Sequence, residues 1–246
     1  MRDDIRRSSV VITNSRSVHA VTMAEHTLGL VLALARRFPS AVRYQQQKHW
    51  AQQEIWDEQP HPIEINGRTL LIVGYGAIGQ ELAERARACG MRIVGVKRDP
   101  SRGTEHADSV MGTDKLEAAL GEADFVVLCA PLTPDTERFF EARKFAAMKK
   151  TAYFINVGRG ALVEASALGE ALQAKTIAGA AIDVAEIEPL APESPLWEAP
   201  NLFITPHLSA VSERLWHRHA ALLLDNLDRY FAGRELLNVV DKQRGY

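Results

Sequence analysis

Cysteine is nearly absent from this sequence, with only Cys89 and Cys129 among 246 residues. Both lie inside apolar runs, Ala86–Met91 and Phe125–Pro131, so they read as buried core thiols in a reducing compartment rather than as a disulfide framework. Aromatic residues are sparse at 7%, but an apolar fraction of 46% excludes a disordered chain. Neither sign of charge dominates: 29 Lys and Arg face 31 Asp and Glu, a formal net charge of −2, and no basic block occurs. That balance argues against nucleic acid as a partner. The longest apolar run near the N-terminus, Leu28–Ala35, is too short to span a bilayer, and nothing before it has the layout of a signal peptide. A cytoplasmic protein without a membrane partner, built on one large domain or one and a fraction, is expected.

What is present is a regular alternation of short apolar strands with amphipathic helices, the pattern of a parallel sheet covered on both faces. Strands are predicted at Val10–Thr13, Thr69–Val73, Arg92–Val96, Phe125–Ala130, Ala152–Val157, Ile177–Ile182 and Leu202–Thr205. Thr22 to Glu25 reads as a capping box opening a helix through Arg37, apolar on all sides over Leu28–Ala35 and so buried. Ala77–Cys89 places Ile78, Leu82, Ala83 and Ala86 on one face and stops before Gly90. A short helix is marked by Leu168, Ala171 and Leu172, and a long one covers Val211–Phe231. The stretch Gln45–Pro62 reads as a connecting loop. The fold class is α/β, a Rossmann-type doubly wound sheet over residues 1–210, followed by a C-terminal helix and tail over 211–246.

After the strand Thr69–Val73 comes Gly74-Tyr75-Gly76-Ala77-Ile78-Gly79 at the head of a helix. A dinucleotide pyrophosphate requires this order: Gly74 for a tight turn, Gly76 for close backbone approach, Gly79 for helix–sheet packing, and a helix N-terminus to meet negative charge. The same glycines could serve only as a structural turn. An NAD site places an acid at the end of the next strand, where it accepts from the ribose 2′-hydroxyl. Here Lys97 and Arg98 stand there, cations that would attract a 2′-phosphate, so NADP(H) is favoured. Asp99, one position late, keeps NAD(H) possible.

Further motifs carry a resemblance. Ala24-Glu25-His26, Gly74–Gly79, Pro131-Leu132-Thr133-Pro134-Asp135-Thr136, Phe154–Gly160, Ala181–Val184 with Glu188-Pro189, Thr205-Pro206-His207 and Asn238-Val239-Val240 occur in this order over almost the whole chain. In them the sequence resembles the D-isomer-specific 2-hydroxyacid dehydrogenases, of the glyoxylate and hydroxypyruvate reductase type. The resemblance implies hydride transfer between a nicotinamide and a small 2-keto or 2-hydroxy acid. It makes Arg159 the group that binds the substrate carboxylate and polarises its carbonyl, a task suited to a guanidinium fork. It makes His207 the acid or base, and Glu188 the carboxylate that orients it. Asp183 is similar to the residue that binds the nicotinamide carboxamide, or it caps the loop after its strand. Pro131, Thr136, Val157 and Gly158 look like further cofactor contacts, along with Ala77 and Ile78 of the turn. Glu186 reads as a solvated neighbour, and Glu25 and His26 as parts of the helix. No histidine shows metal-ligand spacing, so no metal is expected.

Family members carry a substrate-binding domain ahead of the nucleotide domain, and this chain resembles only the part C-terminal to that domain. The resemblance also implies a homodimer through the helix Ala24–Arg37. Two classes of function stay open: a 2-keto acid reductase, and a dinucleotide-binding module without turnover, since the transcriptional corepressors that share the fold retain similar residues.

Overall fold

A computed structural model describes residues 3–243. The strands are β1 (Thr69–Val73), β2 (Arg92–Val96), β3 (Ser109–Met111), β4 (Phe125–Leu128), β5 (Tyr153–Asn156), β6 (Gly179–Ile182) and β7 (Leu202–Ile204). They form one sheet in the order β3-β2-β1-β4-β5-β6-β7, and every pairing is parallel. The helices are α1 (Asp3–Arg7), α2 (Ala20–Ala35), α3 (Phe38–Gln46), α4 (Gln52–Asp57), α5 (Ala77–Ala88), α6 (Leu116–Leu120), α7 (Ala142–Ala146), α8 (Ala165–Gln173) and α9 (Leu215–Phe231).

The central strands are apolar without alternation because both faces of the sheet are covered. Leu70 and Ile72 of β1, with Phe125 and Val127 of β4, point into a core shared with α2 and α5. Their neighbours Leu71, Val73, Val126 and Leu128 enter the opposite core, shared with α6, α7 and α8. In that second core the ring of Phe154 lies tilted at 4.6 Å from Phe140 and edge-on at 5.2 Å from Phe145. Removing such a ring costs about 3–5 kcal/mol.

Several sequence expectations are corrected. Val10–Thr13 is not a strand: Val10 and Val11 are exposed, and Thr13 forms an isolated antiparallel bridge to Val239. Around it Asn14 N–H donates to Asn238 O at 3.0 Å and Val240 N–H to Ile12 O at 2.8 Å. The capping box at Thr22 is absent. Helix α2 begins two residues earlier, because the Thr22 hydroxyl accepts from Arg218 Nη1 at 3.1 Å instead of a helix N–H. The stretch Gln45–Pro62 contains α4, in which Gln53 reaches Asp57 one turn on. Helix α9 starts at Leu215 rather than Val211, because the backbone N–H groups of Leu208 and Ser209 are tied to Asp183 and hold the chain out of the helix. Cys89 is exposed rather than buried, whereas the Cys129 thiol donates to Gly74 O at 3.2 Å and burial pushes it up to about 12. Strand β3, only half-buried at the sheet edge, adds to the strands expected from the sequence.

Helix α9 contributes no buried residue. It leaves Trp216, Leu223, Leu224, Leu227, Tyr230 and Phe231 exposed.

Candidate active site

In a parallel sheet the strand ends all emerge on one edge, and a crevice opens where the winding reverses. Here that point is β1, flanked by β2 and β4. The turn after β1 carries Gly74 at φ +100°, where a side chain would be strained, and a β-carbon there would press to 2.5 Å of the Ala130 backbone. Gly76 caps α5 without any side-chain hydrogen bond, and a β-carbon on it would point into open space. At Gly79 a β-carbon would meet Ile72 at 3.0 Å, so the helix could not lie as close to the sheet. An open backbone cradle at a helix N-terminus, with Ala77 and Ile78 half-buried on its first turn, fits a dinucleotide pyrophosphate.

The other residues singled out from the sequence line the same edge. Lys97 and Arg98 follow β2: Lys97 Nζ donates to Gly103 O at 3.1 Å, and Arg98 lies 3.8 Å from Asp135. After β4, Thr136 Oγ1 donates to Pro131 O at 2.8 Å and accepts from Thr133 N–H at 2.8 Å, which folds that loop on itself. After β5, Asn156 fixes the next turn by accepting from Gly158 N–H at 3.0 Å and donating to Arg159 O at 3.1 Å. Val157 and Gly158 are buried in this turn, and Arg159 is exposed.

Two loops then bring the chemistry together. A β-carbon on Gly160 would lie 1.9 Å from Ala185 C, so the β5 and β6 loops touch backbone to backbone. Beyond Ala185 the chain returns Glu188, whose Oε1 accepts from Ala185 N–H at 3.0 Å and whose Oε2 lies 2.6 Å from His207 Nδ1. Burial works against the charge of Glu188, but the bonds from His207 and Ala185 and the charge of Arg159 hold its carboxyl below the usual range. His207 has a left-handed backbone, φ +52°, and its N–H donates to Asp183 O at 2.8 Å. A cavity of about 520 Å³ is lined by Asp183, Glu188, Pro189, Leu190, Trp197 and His207, among others.

Asp183 is buried, and its carboxylate accepts from Thr205 Oγ1 at 2.6 Å, Leu208 N–H at 3.0 Å and Ser209 N–H at 3.0 Å. Desolvation opposes its charge, but these bonds outweigh it and keep the carboxyl below its ordinary value. Asp183 thus caps the loop that carries His207. Glu186 is not simply solvated, since it pairs with Arg138 at 3.1 Å. His26, which the sequence places in the helix alone, reaches out of it: its Nε2 lies 3.1 Å from Thr205 Oγ1 and 3.6 Å from Asp183. Burial lowers the affinity of His26 for a proton, with partial opposition from Asp183. No local motif signals this contact, since Thr205 and Asp183 are distant in sequence from His26.

Comparison with known proteins agrees with this architecture. The profile described as "D-isomer specific 2-hydroxyacid dehydrogenase, NAD binding domain" matches residues 28–209. A glycerate dehydrogenase of Methylorubrum extorquens is 34% identical over 239 residues, which are 96% of this chain and 73% of that protein. An NADPH-dependent glyoxylate/hydroxypyruvate reductase of Sinorhizobium meliloti, solved with NADP and sulfate, superposes with a TM-score of 0.83 at 30% identity, over 98% of this chain and 74% of that one. A D-isomer specific 2-hydroxyacid dehydrogenase of Xanthobacter autotrophicus, solved with NADPH and MES, gives a TM-score of 0.83 at 32% identity, over 100% of this chain and 97% of that one.

Proposed function

Since this chain belongs to the D-isomer-specific 2-hydroxyacid dehydrogenase family, we propose that it reduces a small 2-keto acid of the glyoxylate or hydroxypyruvate type, with NADP(H) favoured over NAD(H). The observation that carries this reading is the meeting of Arg159, Glu188 and His207 on the sheet edge that also holds the open glycine turn. The nicotinamide dinucleotide supplies the hydride when bound. Arg159 binds the substrate carboxylate and draws electron density toward the carbonyl oxygen through its fork of N–H donors. His207 donates the proton that the developing alkoxide needs, and takes it back in the reverse direction. Glu188, charged at neutral pH, holds the ring by Nδ1 and leaves Nε2 for the substrate.

The cofactor reading is supported by Lys97 and Arg98 just after β2, and by the NADP and NADPH named with the Sinorhizobium and Xanthobacter relatives, respectively. Two cations reaching a 2′-phosphate would favour NADPH by about 1–3 kcal/mol. Fluorescence titration of both cofactors, followed by turnover with glyoxylate, tests the whole proposal. Equal affinities that Arg98→Ala leaves unchanged would remove the NADP(H) assignment, and full turnover in Arg159→Gln would remove the site.

A further inference from the structure

His26 stands on a helix otherwise committed to the core. Helix α2 buries Met23, Ala24, Thr27, Leu30, Val31 and Leu34, and it packs against α5, the helix that opens at the glycine turn. The neighbours of His26 on its own turn stay with these two helices: Thr27 Oγ1 donates back to Met23 O at 2.6 Å, and Glu25 faces Arg85 of α5 at 3.8 Å. His26 instead crosses to the sheet edge, where its Nε2 lies 3.1 Å from Thr205 Oγ1.

The direction of each hydrogen bond follows from the charges. The Asp183 carboxyl, held below its ordinary value, is a carboxylate at neutral pH and can only accept. Thr205 therefore gives its single hydroxyl proton to Asp183 Oδ1, 2.6 Å away. That leaves the Thr205 oxygen as an acceptor, so His26 Nε2 carries a proton and donates it. Burial lowers the affinity of His26 for a second proton, which makes the ring a neutral donor at neutral pH. The donors thus all point one way, from His26 to Thr205 to Asp183, an order in which each bond polarises the next.

Asp183 in turn holds three consecutive residues of the next loop. Its main-chain O accepts from His207 N–H at 2.8 Å, and its carboxylate accepts from Leu208 and Ser209 N–H, each at 3.0 Å. His207 needs that hold, because its φ of +52° lies in the left-handed region that a residue with a β-carbon seldom takes. The remaining bond to the carboxylate comes from Thr205, whose hydroxyl is itself oriented by His26. We propose that His26 is a positioning residue for the proton donor: through Thr205 and Asp183 it sets where His207 stands relative to the dinucleotide cradle on α5. The inference rests on the reading that His207 is the acid of reduction. Because α2 and α5 are packed together, the relay places the loop of His207 against the same pair of helices that presents the glycine turn.

Two pairs of variants test it. His26→Leu and Thr205→Val fill the space but break the relay, whereas His26→Gln and Thr205→Ser keep a donor or a hydroxyl in place. With NADPH and glyoxylate, the first two should each lower kcat about ten- to a hundredfold and leave KM within about twofold, since Arg159, which holds the substrate carboxylate, is not on the relay. His26→Gln and Thr205→Ser should return kcat to within about threefold of the parent, and the double variant His26→Leu with Thr205→Val should be no slower than Thr205→Val alone. The Thr205 pair carries the same comparison if His26→Leu does not fold. NMR signals of the His207 ring at neutral pH, assigned by their absence from His207→Ala, give a readout that needs no turnover: they should move in His26→Leu and return in His26→Gln. A His26→Leu protein that changes only in Tm, with kcat and ring signals as in the parent, overturns the proposal and leaves His26 as a helix anchor. So does a His26→Gln protein no better than His26→Leu. Ring signals that move and return as expected in a chain without turnover uphold the relay and remove the role of His207 in reduction instead.

Discussion

Gly160 and Ala185 meet backbone to backbone, with no room for even a methyl group between the β5 and β6 loops. The contact sets Arg159 on one loop at a fixed place relative to Glu188 on the other. Gly160→Ala should therefore push the loops apart, at a cost of about 1–3 kcal/mol, and weaken substrate binding more than cofactor binding. Gly169 is the control. It sits inside α8 where a β-carbon meets nothing, so Gly169→Ala should stabilise the protein by about 0.5–1 kcal/mol. Thermal unfolding of the two variants checks both signs, and a Gly160→Ala protein as stable as the parent would refute the clamp.

His207→Ala should lower kcat by about 10²- to 10⁴-fold and leave dinucleotide affinity nearly unchanged, because the ring lies on the substrate side of the proposed chemistry. Glu188→Gln keeps the shape but removes the negative charge 2.6 Å from Nδ1. The protonated ring then loses its partner, so reduction, which consumes that proton, should decline at lower pH in the variant than in the parent. Coincident pH profiles would show that Glu188 does not act through His207.

The strands legible to the residue in the sequence are β1 and β2, where apolar side chains fill both faces and glycine or charge marks each end. Strand β3 escapes because three half-buried residues at a sheet edge carry little periodic signal. The glycine turn, Arg159, Glu188 and His207 are legible because each stands in a short local motif. His26 is not, since its partner Thr205 is 179 positions away and only the packing of α2 brings them together. The same reason hides the edge-on contact of His19 with His219. Val10 and Val11 mislead because β-branched residues suit a strand, but here both are exposed and the segment's pairing is one isolated bridge at Thr13.

Asp183 ties down the loop that holds His207, so Asp183→Asn should destabilise the protein at neutral pH by about 1–3 kcal/mol, with an amide unable to accept all the bonds it inherits. The effect depends on pH with a definite sign. The folded state holds this carboxyl below the ordinary 3.8, so its contribution is present in full above that value and is lost as pH falls through the folded one. The gap in Tm between parent and variant should accordingly close in acid. A gap that stays constant down to about pH 3 would mean that the charge of Asp183 does not stabilise the loop.

The two thiols should differ in reactivity. Cys89 is exposed after α5, whereas Cys129 is half-buried, its thiol donating to Gly74 O and raised by desolvation to about 12. At about pH 8 a thiol reagent should label Cys89 at once and Cys129 only on unfolding. Rapid labelling of both in the native protein would show that the floor of the glycine turn opens.

The bridge between Thr13 and Val239 joins stretches of chain so distant that Asn238 Nδ2 donates to Arg16 O across 222 positions at 2.9 Å. Two segments joined antiparallel at one point close the whole chain between them into a loop, so neither end frays without releasing the other. Lys242, donating to Ser8 O at 2.7 Å, adds a second tie between the same two segments.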